Sequence, residues 1–125
     1  MSDSPATPDL DLSFLYEIAD GSDEFVIESI DMLLLQAPES LQRIEQSVKT
    51  NDWLIAAAEA HKLKPSTGFF GMLISQQLLQ DIELLCKAGG QEPDQISAKF
   101  AQAKDLIENN LKELARIKAD KEAGI

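Results

Sequence analysis

From Phe25 onward the apolar residues fall at gaps of three and four: Val26, Ile30, Leu33, Ala37, Leu41, Ile44 and Val48. Such spacing draws a single stripe down one side of an α-helix. The stripe keeps phase across Pro38, which predicts one long helix, bent where Pro38 cannot donate to the carbonyl of Leu34. Two helices meeting at Pro38 are the alternative. Before this stripe, Leu10, Leu12, Phe14, Leu15 and Ile18 predict a short helix, closed by Asp20-Gly21-Ser22. Ser22 is placed to cap the next helix, with Asp23 and Glu24 at the positive end of its dipole.

Three further stripes follow. Thr50-Asn51-Asp52 reads as a turn with a capping side chain, and Trp53, Ala56, Ala60, Leu63, Thr67 and Phe70 give a third helix. A break near Gly71 leads to a fourth with Ile74, Leu78, Ile82 and Leu85 inward, stopped by Gly89-Gly90. Pro93 suits the first turn of a fifth, whose stripe is Ile96, Phe100, Ala103, Ile107, Leu111 and Leu114, fraying after Lys118. No stretch reads as strand. Four long amphipathic helices joined by short turns predict an all-α fold, an up-down-up-down four-helix bundle with the short N-terminal helix as an accessory. The polar, proline-containing residues 1–9 read as a disordered tail, and residues 10–120 as the domain.

Composition supports this and narrows the function. At 125 residues the chain forms one domain with a real core, and with 44% hydrophobic but only 6% aromatic residues that core must be Leu, Ile and Ala. A net charge of −11 opposes binding to nucleic acid and to anionic membrane surfaces. The N-terminus lacks the features of a signal peptide, and no apolar run approaches the ~20 residues of a membrane span. A single cysteine, Cys86, excludes an intramolecular disulfide and reads as a small core residue. A cytoplasmic monomer is the expectation.

Candidate chemistry is concentrated in one place. His61 is the only histidine, and with Lys62 and Lys64 it forms a small basic island in an acidic chain. On a helical wheel His61 points roughly 130° away from the core stripe of its helix, so it should stand on the surface. Ala57, Ala58, Lys64, Pro65 and Gly68 share that face, and four of these five are compact, which leaves room for a partner. Lys64, at i+3, can reach anything attached to the ring. A neutral imidazole is nucleophilic without a partner base, and a nearby ammonium can neutralise an attached phosphoryl group. Ser66 and Thr67 add hydroxyls, with Thr67 turned inward.

Other chemistry is poorly supported. One cysteine and one histidine cannot close a zinc site, and Ser66 has no second histidine to act as its base. No glycine-rich loop matches a phosphate cradle, and Asp81 and Glu83 read as carboxylates on a solvated helix face.

The run Ala60-His61-Lys62-Leu63-Lys64-Pro65-Ser66-Thr67, with Gly71 downstream, resembles the signature of the histidine-containing phosphotransfer (HPt) domain, roughly A-H-x-L-K-G-S-S-x-x-x-G. The resemblance covers about residues 10 to 118. It implies that His61 is the phosphorylated histidine, that Lys64 supports the phosphoryl group, and that Gly71 is the family's glycine, where a small residue allows close packing. Glu83 stands where the family often has a polar side chain near the histidine, a weak match. Pro65 departs from the pattern by replacing a glycine, and it removes the N–H that would bond the carbonyl of His61, predicting a local bend or a free carbonyl there.

The resemblance implies a phosphorelay carrier and not an enzyme. His61 would take a phosphoryl group from a receiver-domain aspartate or a sensor histidine kinase and pass it to a response-regulator aspartate. Ala57, Ala58, Lys62 and Glu83 would take part in docking. No cofactor would be bound by this chain, and Mg²⁺ would come from the receiver. The alternative is a non-phosphorylated helical adaptor that binds and inhibits a kinase or receiver.

Overall fold

The computed structural model describes residues 8–124. Five helices run in chain order: α1 (Ser13–Ala19), α2 (Asp23–Lys49), α3 (Trp53–Phe69), α4 (Leu73–Lys87) and α5 (Pro93–Ala123). Among the described residues there is no strand. Helix α2 packs on α3 and α5, and α4 also packs on α3 and α5, so the four long helices close a ring around one core; α1 lies against α2.

The stripes seen in the sequence build that core. Ile30, Ile44, Ala60, Leu63, Ile82, Ile96 and Leu114 are each fully buried. Helix α2 runs unbroken through Pro38. Pro38 lies on its exposed side, where water can stand in for the missing donor. Ser22 caps this helix through its hydroxyl, which accepts from the Phe25 N–H at 3.1 Å.

The ends of α2, α3 and α4 share one device. A residue with positive φ just past the cap lets two N–H groups turn back onto the last carbonyls. At the end of α3 it is Gly71 (φ 68°): its N–H bonds Gly68 at 3.0 Å and the Met72 N–H bonds Thr67 at 2.8 Å. Gly71 is also required sterically, because a Cβ there would lie 2.1 Å from the Asp11 carbonyl oxygen. Asn51 (φ 58°) plays the part in α2, so that turn is closed by backbone geometry, and Asp52 makes no side-chain cap.

Three expectations need correction. On α4 the buried stripe is Ser75, Leu78, Leu79, Ile82, Glu83 and Cys86, while Ile74 is 44% exposed and Leu85 only half-buried. The stripe is rotated from its expected phase because Ser75 turns inward to a polar partner. That partner is Asp9, expected in the tail but 1% exposed. Its carboxylate accepts from the N–H groups of Ile74 (2.7 Å) and Ser75 (3.2 Å), from the Ser75 hydroxyl and from the Asn110 amide (3.1 Å). Asp9 thus supplies α4 with the N-terminal acceptor that its own cap residue, Met72, lacks. Residues 1–7 of the expected tail lie outside the described residues. Finally, α5 continues past Lys118 to Ala123, held by Ile117 in the core and by ion pairs from Lys118 to Asp31 (2.7 Å) and Lys121 to Asp23 (3.2 Å) on α2.

Candidate functional site

His61 stands in the middle of α3 with its side chain 68% exposed, on the side opposite Leu63 and Ala60. Helix α3 continues through Pro65, one turn on, which lies on the exposed side. Beside the ring runs a groove of about 500 Å³ between α3 and α4, lined by His61, Lys64, Pro65 and, across from them, Leu73, Gln76, Gln77 and Gln80.

The ring is held from below. Its Nδ1 lies 2.9 Å from Oε2 of Glu83, a side chain only 4% exposed that rises from α4. Lys64 Nζ sits 2.7 Å from the other oxygen, Oε1, and also donates to the Gln80 amide oxygen. Lys87, one turn along α4, places its ammonium 2.8 Å from Oε2. Burial by itself would raise the Glu83 carboxyl, but the close ammoniums of Lys64 and Lys87, with the charge of a protonated His61, outweigh it and draw the group from the ordinary 4.5 to about 2. Glu83 is therefore a carboxylate at neutral pH.

A carboxylate can only accept, so Nδ1 is the nitrogen that carries the proton. The lone pair is then on Nε2, which has no hydrogen-bond partner among the described residues. Whenever the ring is neutral, the arrangement presents a fixed imidazole with its nucleophilic nitrogen free and an ammonium close by.

The expected site residues divide into those brought together and those not. His61 and Lys64 meet, but Lys64 is largely buried (19% exposed) and engaged with α4, not free on the surface. Ala58 and Lys62 are exposed beside His61, and Lys62 pairs with Glu59 at 3.6 Å. Ala57 is only 3% exposed and is core, because the helix turns it toward the bundle. Glu83, expected on a solvated docking face, lies inside as the ring's support. Ser66 opens onto a second groove, between α2 and α3, with Met32, Gln36 and Phe69, so its hydroxyl is not part of the His61 cleft. Thr67 is buried as expected and bonds the Lys64 carbonyl at 2.7 Å. Gly68 leaves room for Gln76, whose amide donates to that same carbonyl at 3.3 Å; a Cβ at Gly68 would lie 2.5 Å from the amide nitrogen. Gly71 closes the helix one turn beyond.

Sequence reasoning placed Glu83 near the histidine only through the family resemblance and missed its burial, and it missed Lys87 altogether. Glu83 falls in register with Leu79, Ile82 and Cys86, the buried side of α4, and a lone carboxylate on such a stripe signals a buried partner. Lys87 follows it at i+4. Among the described residues no three His, Cys, Asp or Glu side chains are grouped to hold a metal, and no helix is long and apolar enough to cross a membrane.

No curated protein matches the chain. Two solved structures share its fold. One is the HPT domain of a sensor hybrid histidine kinase from Shewanella, 21% identical over 91% of each chain with a TM-score of 0.62. The other is histidine-containing phosphotransfer protein B from Pseudomonas aeruginosa PAO1, 18% identical over 86% of this chain and 97% of the other, also with a TM-score of 0.62. The family model described as the Hpt domain matches residues 28–117, well over half of the chain and all of the His61 cluster. The chain therefore belongs to the Hpt domain family, the phosphocarrier modules of two-component phosphorelays.

Proposed function

We propose that His61 accepts a phosphoryl group on Nε2 and passes it on. One observation carries this: Glu83 occupies Nδ1 at 2.9 Å and leaves the other nitrogen free in the open groove. In the forward step the Nε2 lone pair attacks phosphorus in the aspartyl phosphate of a receiver domain. An N–P bond forms as the P–O bond breaks, and the aspartate leaves with the electron pair. The proton stays on Nδ1, and the positive charge that develops on the ring lies against Glu83. Transfer to a response-regulator aspartate is the reverse; a sensor histidine kinase is an equivalent donor.

Lys64 meets the negative charge of the phosphoryl group. Pro65 and Gly68 keep the approach low, and Gly71 fixes the end of the helix. Ser66 serves the neighbouring groove, and Ala58 and Lys62 take part in docking. Mg²⁺ would come with the receiver, whose acidic pocket suits the lysines around His61. The ring of helix contacts and the short connections support an up-down-up-down arrangement with α1 as accessory, and the chain would act as a cytoplasmic monomer.

The test is incubation with a phosphorylated receiver domain and Mg²⁺. The carrier acquires an acid-labile, base-stable label that disappears in His61→Gln. A wild-type chain that binds the receiver yet stays unlabelled with several donors would instead be an adaptor.

A further inference from the structure

Glu83 is shared by two ammonium groups where one would neutralise it. Lys64 approaches Oε1 at 2.7 Å from α3, and Lys87 approaches Oε2 at 2.8 Å from within α4. Oε2 is the oxygen that also holds His61 Nδ1. The Lys87 side chain as a whole is 59% exposed, but its ammonium ends on a carboxylate that is 4% exposed.

Taking the proposed phosphoacceptor role of His61 as given, we propose that Lys87 is a positioning residue: it keeps Glu83 compensated so that Lys64 can leave that carboxylate for the phosphoryl group. In the unphosphorylated protein Lys64 is engaged with Glu83 and Gln80. To neutralise a group on His61 its ammonium has to turn away from both. A buried carboxylate stripped of its only cation is strongly unfavourable, and that penalty would tie Lys64 down. With Lys87 already on Oε2, Glu83 remains ionised and paired, and continues to hold Nδ1 while Lys64 moves.

The charge balance agrees. One carboxylate and two ammoniums leave a surplus of one positive charge, while the phosphoryl group, at about −1.5 to −2, together with the positive charge left on the ring adds about −0.5 to −1. Lys62 is paired with Glu59 at 3.6 Å. Without Lys87 the cluster would be neutral before phosphorylation and negative after it, in a chain whose net charge is already −11.

The experiment follows His61 labelling by potassium phosphoramidate, a small donor that removes protein docking from the measurement. It uses the full chain as wild type, Lys87→Met, Lys87→Arg, Glu83→Gln and the Glu83→Gln/Lys87→Met double variant, with circular dichroism melts to confirm folding. Lys87→Met is expected to label about tenfold more slowly, and Lys87→Arg to stay within about twofold of wild type. In the Glu83→Gln background there is no carboxylate left to compensate, so adding Lys87→Met should change the rate less than about twofold. The proposal is overturned by wild-type labelling in Lys87→Met. It is equally overturned by equal slowing in both backgrounds, which would mean that Lys87 merely attracts the anionic donor. A wild-type chain that takes no label sinks the role of His61 itself, and Lys87 with it.

Discussion

His61 and Glu83, 22 residues apart in the chain, meet at 2.9 Å between Nδ1 and Oε2. That one contact sets the tautomer, aims the free nitrogen outward and ties the exposed ring to the core of the bundle. The carboxylate in that contact also gives the protein an acid response that one substitution can isolate.

The Glu83 carboxyl sits at about 2 in the folded protein, below the ordinary 4.5. A depressed value means that the stability it contributes is complete above about pH 4.5 and is lost as pH falls toward 2. Urea denaturation of wild type and Glu83→Gln across this range should show the stability difference between them shrinking on acidification. A constant difference would mean that Glu83 is not held ionised by its lysines.

Lys64→Ala should cost more than removal of a surface lysine, because the side chain is 19% exposed and faces a buried carboxylate. A loss of about 1–3 kcal/mol in chemical denaturation is expected, with Lys87 preventing a larger one, together with slower phosphotransfer from a receiver. Loss of transfer at unchanged stability would place Lys64 outside the Glu83 cluster.

Gly71 and Gly21 both have positive φ, 68° and 87°, but only the first is crowded. A Cβ at Gly71 would strike the Asp11 carbonyl, whereas Gly21 has nothing within 4 Å. Gly21→Ala should cost about 1 kcal/mol from backbone strain alone, and Gly71→Ala at least twice that, read as the shift in urea midpoint.

Asp9→Ala removes the acceptor for two α4 N–H groups, the Ser75 hydroxyl and the Asn110 amide. Asn110 still donates to the residue 9 carbonyl, but the buried Ser75 N–H and hydroxyl and the part-buried Ile74 N–H lose this acceptor, which should lower stability by about 2–4 kcal/mol. Faster hydrogen exchange at Ile74 and Ser75 would locate the loss at the start of α4.

How much of this was legible in the sequence depends on whether an element's partners are local. The stripes of α2, α3 and α5 follow from spacing alone, and Pro38 misled nothing because it falls on a solvent face. The exposure of His61 follows from the wheel. Helix α4 was misphased because Leu73 and Ile74 are apolar but exposed, while polar Ser75 and Glu83 are buried. Both are buried by partners distant in sequence, Asp9 and the His61–Lys64 pair, and such pairing leaves no periodic trace. Ala57 was misplaced for a milder reason: alanine is small enough to sit on either side of a helix boundary, and its neighbours decide.

The central claim is that the phosphoryl group attaches to Nε2 because Glu83 holds Nδ1. After labelling the ¹⁵N-histidine protein with a phosphorylated receiver, heteronuclear NMR can read which ring nitrogen couples to phosphorus. Coupling to Nε2 of His61, with Nδ1 still protonated, is the result predicted. Coupling to Nδ1, or phosphorus on any residue other than His61, would contradict the account.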